Sequence, residues 1–407
     1  MEMLVYLLKV ILAIVKPLII MKPKVCLFFL GLILTGCQQP VKTGELATID
    51  ISKNYPKKEL HIQTVADVEY VPLETTDEFL LGSSPMLSYV SGNYILVWQS
   101  SGDIFLFNRD GKAISCFNHR GNGPEEYVRI SNVLFDEKNG EIFVNPNLSL
   151  ILVYSPTGDY KRTLRLPDGI KNMTVCNFDD KTLLVYDETW LQNNEYREEP
   201  YLFVSKQDGS IVSTLKFMLP VRYSNRLTYV FTDTKGQQTN QPLRISTPNN
   251  KHYGEDFMIA DISSDTIYRL TKNRDLIPML VRIPSVHSSD TKTVLTSLLT
   301  TDKFMFFWKI VFDVYAIRNN QNVFTSLMYE METGRTYNVS FINDDFPSWT
   351  WIHVENFEID KNMTAGLIDV VLLKDAHEER KLNGKLEKLV ETLDEEDNPV
   401  LMIVRFK

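Results

Sequence analysis

The chain is poor in the residues that build most metal and redox sites. It has four cysteines and six histidines among 407 residues, and neither HExxH nor CxxC occurs. A zinc centre with ordinary ligand spacing is therefore not expected. No Gly-x-Ser-x-Gly elbow is present, so a Ser-His-Asp triad would have to assemble wholly in space. Lysine/arginine clusters with interleaved aromatics are also missing. The formal net charge is −9, which argues against a broad nucleic-acid surface. Charged residues at 23% and hydrophobic residues at 44% carry no bias toward disorder. Aromatics reach 11%, a share that favours strands.

The N-terminal region reads as a targeting segment. From Met21 the sequence runs MKPKVCLFFLGLILTGCQQ, with Lys22 and Lys24 ahead of a short apolar core at 25–34. It ends in Leu34-Thr35-Gly36-Cys37, which resembles the lipobox of bacterial lipoproteins and implies a lipidated Cys37 at the mature N-terminus. The apolar run is too short to span a bilayer comfortably. Residues 1–20 read as an upstream extension, with the true start at Met21. The division expected is a leader with a signal helix at 1–36, a lipidated flexible tether at 37–54 and one domain at 55–407. Residues 1–36 hold four lysines and one glutamate, so their removal takes the formal charge from −9 to −12. Membrane attachment would then rest on lipid rather than on basic residues. Gln38 and Gln39 follow the cysteine, with no aspartate to signal inner-membrane retention, so the outer membrane is the expected destination. Cys116 and Cys176 remain in AISCF and MTVCNF, and both read as buried free thiols.

One pattern recurs along the mature chain: an apolar strand, a turn with glycine or aspartate, then a second strand. It reads IFLFNRDGKAISCF (104–117), ILVYSPTGDYKRTLRL (151–166), LFVSKQDGSIVSTLKF (202–217), IYRLTKNRDLIPMLVRI (267–283) and LMYEMETGRTYNVSF (327–341). Asp-Gly and Thr-Gly suit hairpin turns because glycine takes positive φ without a steric penalty. The fourth copy has Asn-Arg-Asp instead. Each hairpin follows an inner strand pair, as in NVLFDEKNGEIFVNP (132–146) and TVCNFDDKTLLVYDE (174–188), and a sixth pair reads NFEIDKNMTAGLIDVVLLK (356–374). Four strands per unit, repeating every fifty residues or so, predict an all-β, six-bladed β-propeller of four-stranded antiparallel blades. The spacing stretches in the second half, which points to insertions in blades four and five. Leu382, Leu386, Leu389 and Leu393 share one side of a helix, so a short C-terminal amphipathic helix is expected across the last blade. LHIQTVADVEYVPLE (60–74) is expected to pair into that blade and close the ring.

With these residues assembled, the sequence resembles the six-bladed β-propeller lipoproteins of Bacteroides-type bacteria, with NHL-repeat and TolB-like propellers as more distant relatives. VPLETTDEFLLG (71–82), RGNGPEEY (120–127) and DNPVLMIVRFK (397–407) carry the resemblance, which covers nearly all of the mature chain. It implies a fold and an envelope location, and little about function. Most distant relatives are binding modules, and some are calcium-dependent lactonases.

RGNGPEEY looks at first like a phosphate loop, but no Lys-Ser/Thr follows its second glycine and no helix opens after it. It reads as the crossover from blade one to blade two, offering Arg120, Glu126 and Tyr127 to a neighbour or ligand. Trp190, in DETWLQNNEYREEPY, and Trp349 and Trp351, in DDFPSWTWIHVENF, lie beside polar groups that suit a sugar or peptide. The functional expectation is a binding or scaffolding module with a glycan or protein partner on one face, in nutrient uptake or sensing, and without a cofactor. The alternative is a hydrolase or lyase with calcium in the central channel. Its oxygen donors would come from Asp136, Glu137, Asp179, Asp180, Asp187, Glu188, Asp313 and Asp360, although four of these fall at turns where acids are favoured anyway.

Overall fold

In the strands Tyr94–Trp98, Leu150–Tyr154 and Thr182–Asp187 every side chain is apolar or enclosed. Such runs form when a sheet is covered on both faces. The outer strand Ala113–Asn118 alternates between half-buried and exposed positions instead, as an edge does. A computed structural model describes residues 46–167, 169–170, 173–189, 196–219, 221–223, 226–232, 236–244, 250–288, 293–311, 313, 316, 323–347, 358–359 and 362–407. For 147–148, 226–232, 240–244, 250–252 and 358–359 it describes the backbone alone.

The strands form a six-bladed β-propeller of antiparallel blades. Blade one is Met86–Val90, Tyr94–Trp98, Asp103–Asn108 and Ala113–Asn118. Blade two is Asn132–Asp136, Glu141–Leu148, Leu150–Tyr154 and Tyr160–Arg165. Blade three is Met173–Asn177, Thr182–Asp187, Tyr201–Ser205 and Ile211–Thr214. Blade four is Asn250–Tyr253, Asp256–Ile259, Thr266–Leu270 and Leu276–Ile283, and blade five is Thr293–Thr300, Phe304–Val311, Phe324–Glu330 and Arg335–Ile342. Blade six has Met363–Ile368, Val400–Phe406 and, on its outside, the N-terminal strand Ala66–Pro72. The ring is thus closed by a strand from the beginning of the domain. Glu358–Ile359, just upstream, runs parallel to the inner strand of blade one.

The N-terminal chain does more than close the ring. Ala47–Asp50 adds in parallel to the outer edge of blade four, and Lys57–His61 does the same on blade five. The chain therefore lines three successive blades before it enters the first, and residues 46–54, assigned from sequence to a tether, belong to the propeller unit of 46–407. The leader expected at 1–36, its signal helix and Cys37 lie outside the described residues.

Two expectations are corrected. The second strand of the pair read at 356–374 does not run through VVLLK: after Met363–Ile368 the chain enters the helix Val370–Glu378, capped by the Asp369 carboxylate on the amides of Val371 and Leu372. A second helix, Gly384–Val390, carries Leu386 and, of the four leucines read as one helical face, only Leu389 besides. The local sequence is ambiguous because a short apolar run suits either structure, and the cap decides. The second correction concerns Cys116. Neither thiol is in a disulfide, but Cys176 is half-buried and Cys116 exposed, because the outer strand turns alternate residues to solvent. The lengthening after blade three holds an extra hairpin, Arg226–Thr232 with Gln238–Arg244.

The core is divided among the seams. Separate apolar clusters lie between blades six and one (Phe107, Ile403), one and two (Trp98, Val144), two and three (Phe143, Val185) and three and four (Phe203, Ile259). Others lie between four and five (Leu280, Phe307) and five and six (Phe306, Met402). At about 1.5–3 kcal/mol for each large side chain fully buried, the seams supply the main drive to close the ring.

The hairpin glycines serve these seams. Gly158 sits at φ +92° and a Cβ there would stand 2.7 Å from Phe117 of the preceding blade; Gly209, at φ +84°, meets the Arg165 backbone at 2.6 Å. Each outer turn thus nests against the end of the previous outer strand, where a side chain has no room. Blade four uses Arg274 at positive φ. Its guanidinium lies 4.1 Å from the centroid of Phe203 and donates to Ser213 Oγ at 2.7 Å, so a long side chain occupies the same seam.

Candidate functional site

In an up-and-down blade, the turns after the first and third strands lie at one end of the ring. The connections after the second and fourth lie at the other, and these are called here the turn face and the crossover face. RGNGPEEY is on the crossover face, between blades one and two, and its side chains hold it in place. Tyr127 is 1% exposed. Its hydroxyl donates to Gly102 O at 2.7 Å and accepts from His119 N at 2.9 Å, and burial pushes its pKa up to about 12. Tyr154 of blade two donates to Glu125 O at 2.7 Å and stacks on His119 at 5.1 Å. The Glu126 carboxylate accepts from Gly123 N at 2.8 Å, and a Cβ on Gly121 would overlap that carboxylate. Arg120 donates to Ser101 O at 3.4 Å from an exposed position. Tyr127 is therefore spent on the loop itself, whereas Glu126, bonded within the loop, and Arg120 both stand at exposed positions. Trp190, Trp349 and Trp351 lie outside the described residues.

The other two quoted segments are tied to each other. Asn398, 1% exposed, accepts from Leu81 N at 2.7 Å and donates to Glu74 O and Phe79 O at 2.8 and 2.6 Å. It pins the crossover from blade six to blade one against the strand that closes blade six. A buried amide with its donors and acceptor used in this way holds one register of the ring.

The turn face carries a different feature. An open depression of about 720 Å³ lies over the turns of blades one to three, reaching Lys272 of blade four. At its floor Lys206, with a side chain 4% exposed, meets Asp136, 5% exposed, at 2.6 Å. The same ammonium donates to Asp179 O at 2.5 Å. Asp136 also accepts from Asn139 N and Nδ2, at 3.1 and 2.7 Å. Glu137 accepts from Tyr89 and Ser91 hydroxyls at 2.8 and 2.7 Å and from Asn93 at 2.6 Å. Burial pushes its pKa up, but the bonds from Asn93, Ser91 and Tyr89 outweigh this and leave it below the ordinary value. On the rim Lys138 pairs with Asp180, whose pKa is lowered first by that bond and further by the charges of Lys206 and Lys181. Half-buried Phe178 and Tyr89 contribute ring surface to the wall.

A family profile described as "Domain of unknown function (DUF4934)" matches residues 46–405. The chain belongs to this family. Among solved structures, this DUF4934 protein is similar to a Bacteroides fragilis protein named for its expected export, at TM-score 0.62 and 16% identity over 89% of this chain and 100% of that one. A Bacteroides caccae protein of unknown function gives TM-score 0.34 and 11% identity over 63% and 83%. BamB from Moraxella catarrhalis gives 0.24 and 11% over 55% and 80%. At 16% identity the likeness to the Bacteroides fragilis protein is one of fold. A search among curated proteins finds no match.

Within the DUF4934 domain the acids weighed as calcium ligands are placed one by one. Asp136, Glu137 and Asp180 have the partners just given, Asp179 faces Arg274 at 3.8 Å, and Asp187 meets Arg197 at 3.2 Å. Glu188 accepts from Thr174 at 2.6 Å, and Asp313 accepts from Ala316 N at 3.0 Å. Asp360 lies outside the described residues. Among the described residues no group of three or more histidine, cysteine or acidic side chains is placed to hold a metal ion.

The basic half of the depression was missed from sequence, although a signal exists. FDEK at 135–138 and FDDK at 178–181 are the same turn in adjacent blades. In each, the first aspartate reaches the outer turn of the next blade, Asp136 to Lys206 and Asp179 to Arg274.

Proposed function

We propose that this DUF4934 protein is an exported, lipid-anchored envelope protein whose propeller is a binding module, with its ligand held in the turn-face depression. The observation that carries the binding arm is a buried ammonium, Lys206, on the floor of a cavity open to solvent. A charge enclosed to that degree costs several kcal/mol unless well partnered, and such groups concentrate at working sites. The volume falls within the roughly 300–1,000 Å³ usual for small-ligand sites, which favours a glycan-sized ligand over a folded protein there. The anchoring arm rests on Leu34-Thr35-Gly36-Cys37 and on the fold shared with a Bacteroides protein named for its expected export. The calcium-dependent alternative is disfavoured because the acids it needs are individually committed to lysine, arginine, hydroxyl or amide partners.

The crossover face supports a second arm, a protein partner. Leu80, Val128, Met218 and Val221, from three of the connections on that face, are all exposed, at 55%, 56%, 59% and 49%.

Two experiments test the proposal. Cys37→Ser, in a chain starting at Met21, is expected to move the protein from the membrane to the soluble fraction; retention in the membrane refutes the anchor. For binding, the purified protein is applied to an array of glycans and peptides alongside Lys181→Gln. Capture of a ligand that this variant weakens supports the depression as the site, and capture of nothing refutes the module reading.

A further inference from the structure

We infer that the turn-face depression takes a small carboxylate-bearing ligand of sugar-acid size, held by lysines from three blades. This rests on the binding reading above and narrows it to a chemical class.

Charge is the first ground. Four acids and four lysines line the depression, so it is formally neutral in a chain of net charge −9. The acids, however, are less available than the lysines. Asp136 and Glu137 each accept three hydrogen bonds from the protein. Asp179 accepts the amides of Lys181 and Thr182 at 2.8 and 2.7 Å. Their negative charge is largely compensated locally, whereas an ammonium has three donors. Lys206 uses one on Asp136 and one on Asp179 O, which leaves a third at the floor of the cavity. Lys138 and Lys272 stand at the rim with side chains 70% and 57% exposed, in solvent-facing pairs with Asp180 and, at 2.6 Å, Glu255, which an incoming anion can displace at little cost.

The second ground is that a carboxylate already does well here. Asp180 is exposed, yet its pKa is drawn down by Lys138, with Lys206 and Lys181 contributing through space. A ligand carboxylate that takes the place of Asp180 on Lys138 would meet the same three lysines. Lys138 is shared between the two: it can leave Asp180 for an incoming carboxylate at little cost, since an exposed pair is worth only about 0–1 kcal/mol.

The third ground is shape. Phe178 and Tyr89 offer partly exposed ring surface in the wall, suited to the apolar face of a sugar ring. Asn177 and the Asp179 and Asp180 carboxylates beside them can meet hydroxyl groups. An acid with an attached ring uses both halves of the depression, and a bare small anion uses only one.

The test is calorimetry on the full chain with D-galacturonate and D-glucuronate, set against D-galactose, D-glucose and glucose 6-phosphate. At least one uronate is expected to bind, with the matching neutral hexose about tenfold weaker or undetectable, the loss of one charge-assisted contact. Lys181→Gln and Lys272→Gln, both at the surface, should each weaken the uronate several-fold without lowering Tm. Raising the salt should weaken it further. Equal binding of uronate and neutral hexose, no uronate binding, or preference for glucose 6-phosphate overturns the carboxylate class. In the first and third cases a loss of affinity in Lys181→Gln shows that the binding reading itself stands. Where no sugar binds, capture of another ligand on the array keeps that reading, and an empty array removes both.

Discussion

The two faces of the ring divide the work that the sequence seemed to assign to one. The crossover face carries the segments on which the sequence resemblance rests, and there Tyr127 and Asn398 are buried and tie neighbouring segments together, while Gly121 and Glu126 pack within one loop. The turn face is made of short hairpins with little to distinguish them one at a time. Yet three neighbouring blades bring four acids and four lysines together there around a cavity. Distinctive sequence thus follows mechanical constraint: a loop that must be clamped at both ends tolerates few alternatives. A depression built from ordinary turn residues leaves a weaker trace.

The sharpest way to break this division is to attack each face where it is most buried. Tyr127→Ala removes a buried ring and its bond to Gly102 O, and is expected to cost about 3–5 kcal/mol, read as a fall in denaturation midpoint. Tyr127→Phe should cost about 1 kcal/mol, and neither should change ligand affinity in the folded protein. An altered affinity in Tyr127→Phe would show that the faces are coupled.

Lys206→Met leaves Asp136 buried and unpaired, with an expected loss of about 3 kcal/mol. Adding Asp136→Leu should recover much of that stability while binding stays lost; recovery of both would contradict a ligand role for Lys206. Gly158→Ala is expected to cost about 1–3 kcal/mol from its positive φ alone, with a further penalty from Phe117. Unchanged stability would mean that this seam is looser than the structure shows.

The smallest effect is one of pH. Glu137 is held below its ordinary value of 4.5 by Asn93, Ser91 and Tyr89, against the effect of burial. Its contribution to folding is complete above pH 4.5 and is lost as the pH falls through the depressed value. Glu137→Gln should therefore flatten the acid side of the stability profile while leaving the alkaline side alone, as thermal melts across pH 3–6 would show. An unchanged acid limb would mean that the three hydrogen bonds do not favour the charged form.

Much of the ring was legible because hairpin turns and apolar runs are local. IFLFNRDGKAISCF shows two strands and a turn without reference to anything distant, and its glycine at 111 sits at φ +80° as a turn glycine should. LHIQTVADVEYVPLE was legible as the closing element for the same reason. Its first two residues, Leu60 and His61, nevertheless end the strand Lys57–His61 on blade five, a division that depends on which edge is open. IDVVLLK misled because its apolar run carries no period of its own. Of the candidate site, Asp136, Glu137, Asp179 and Asp180 were visible as acids at turns, but Lys206 lay in a hairpin of the next blade, and nothing local links it to Asp136.

The sequence by itself determined the repeat, the number of blades and the means of closure, since each depends on alternation, turn chemistry and order along the chain. Only the tertiary structure decided which charges meet. Residues 136 and 206 are joined by the curvature of the ring and by the way each outer turn nests in the preceding blade. The worth of a charge depends on burial and on partners, and both are properties of the closed ring.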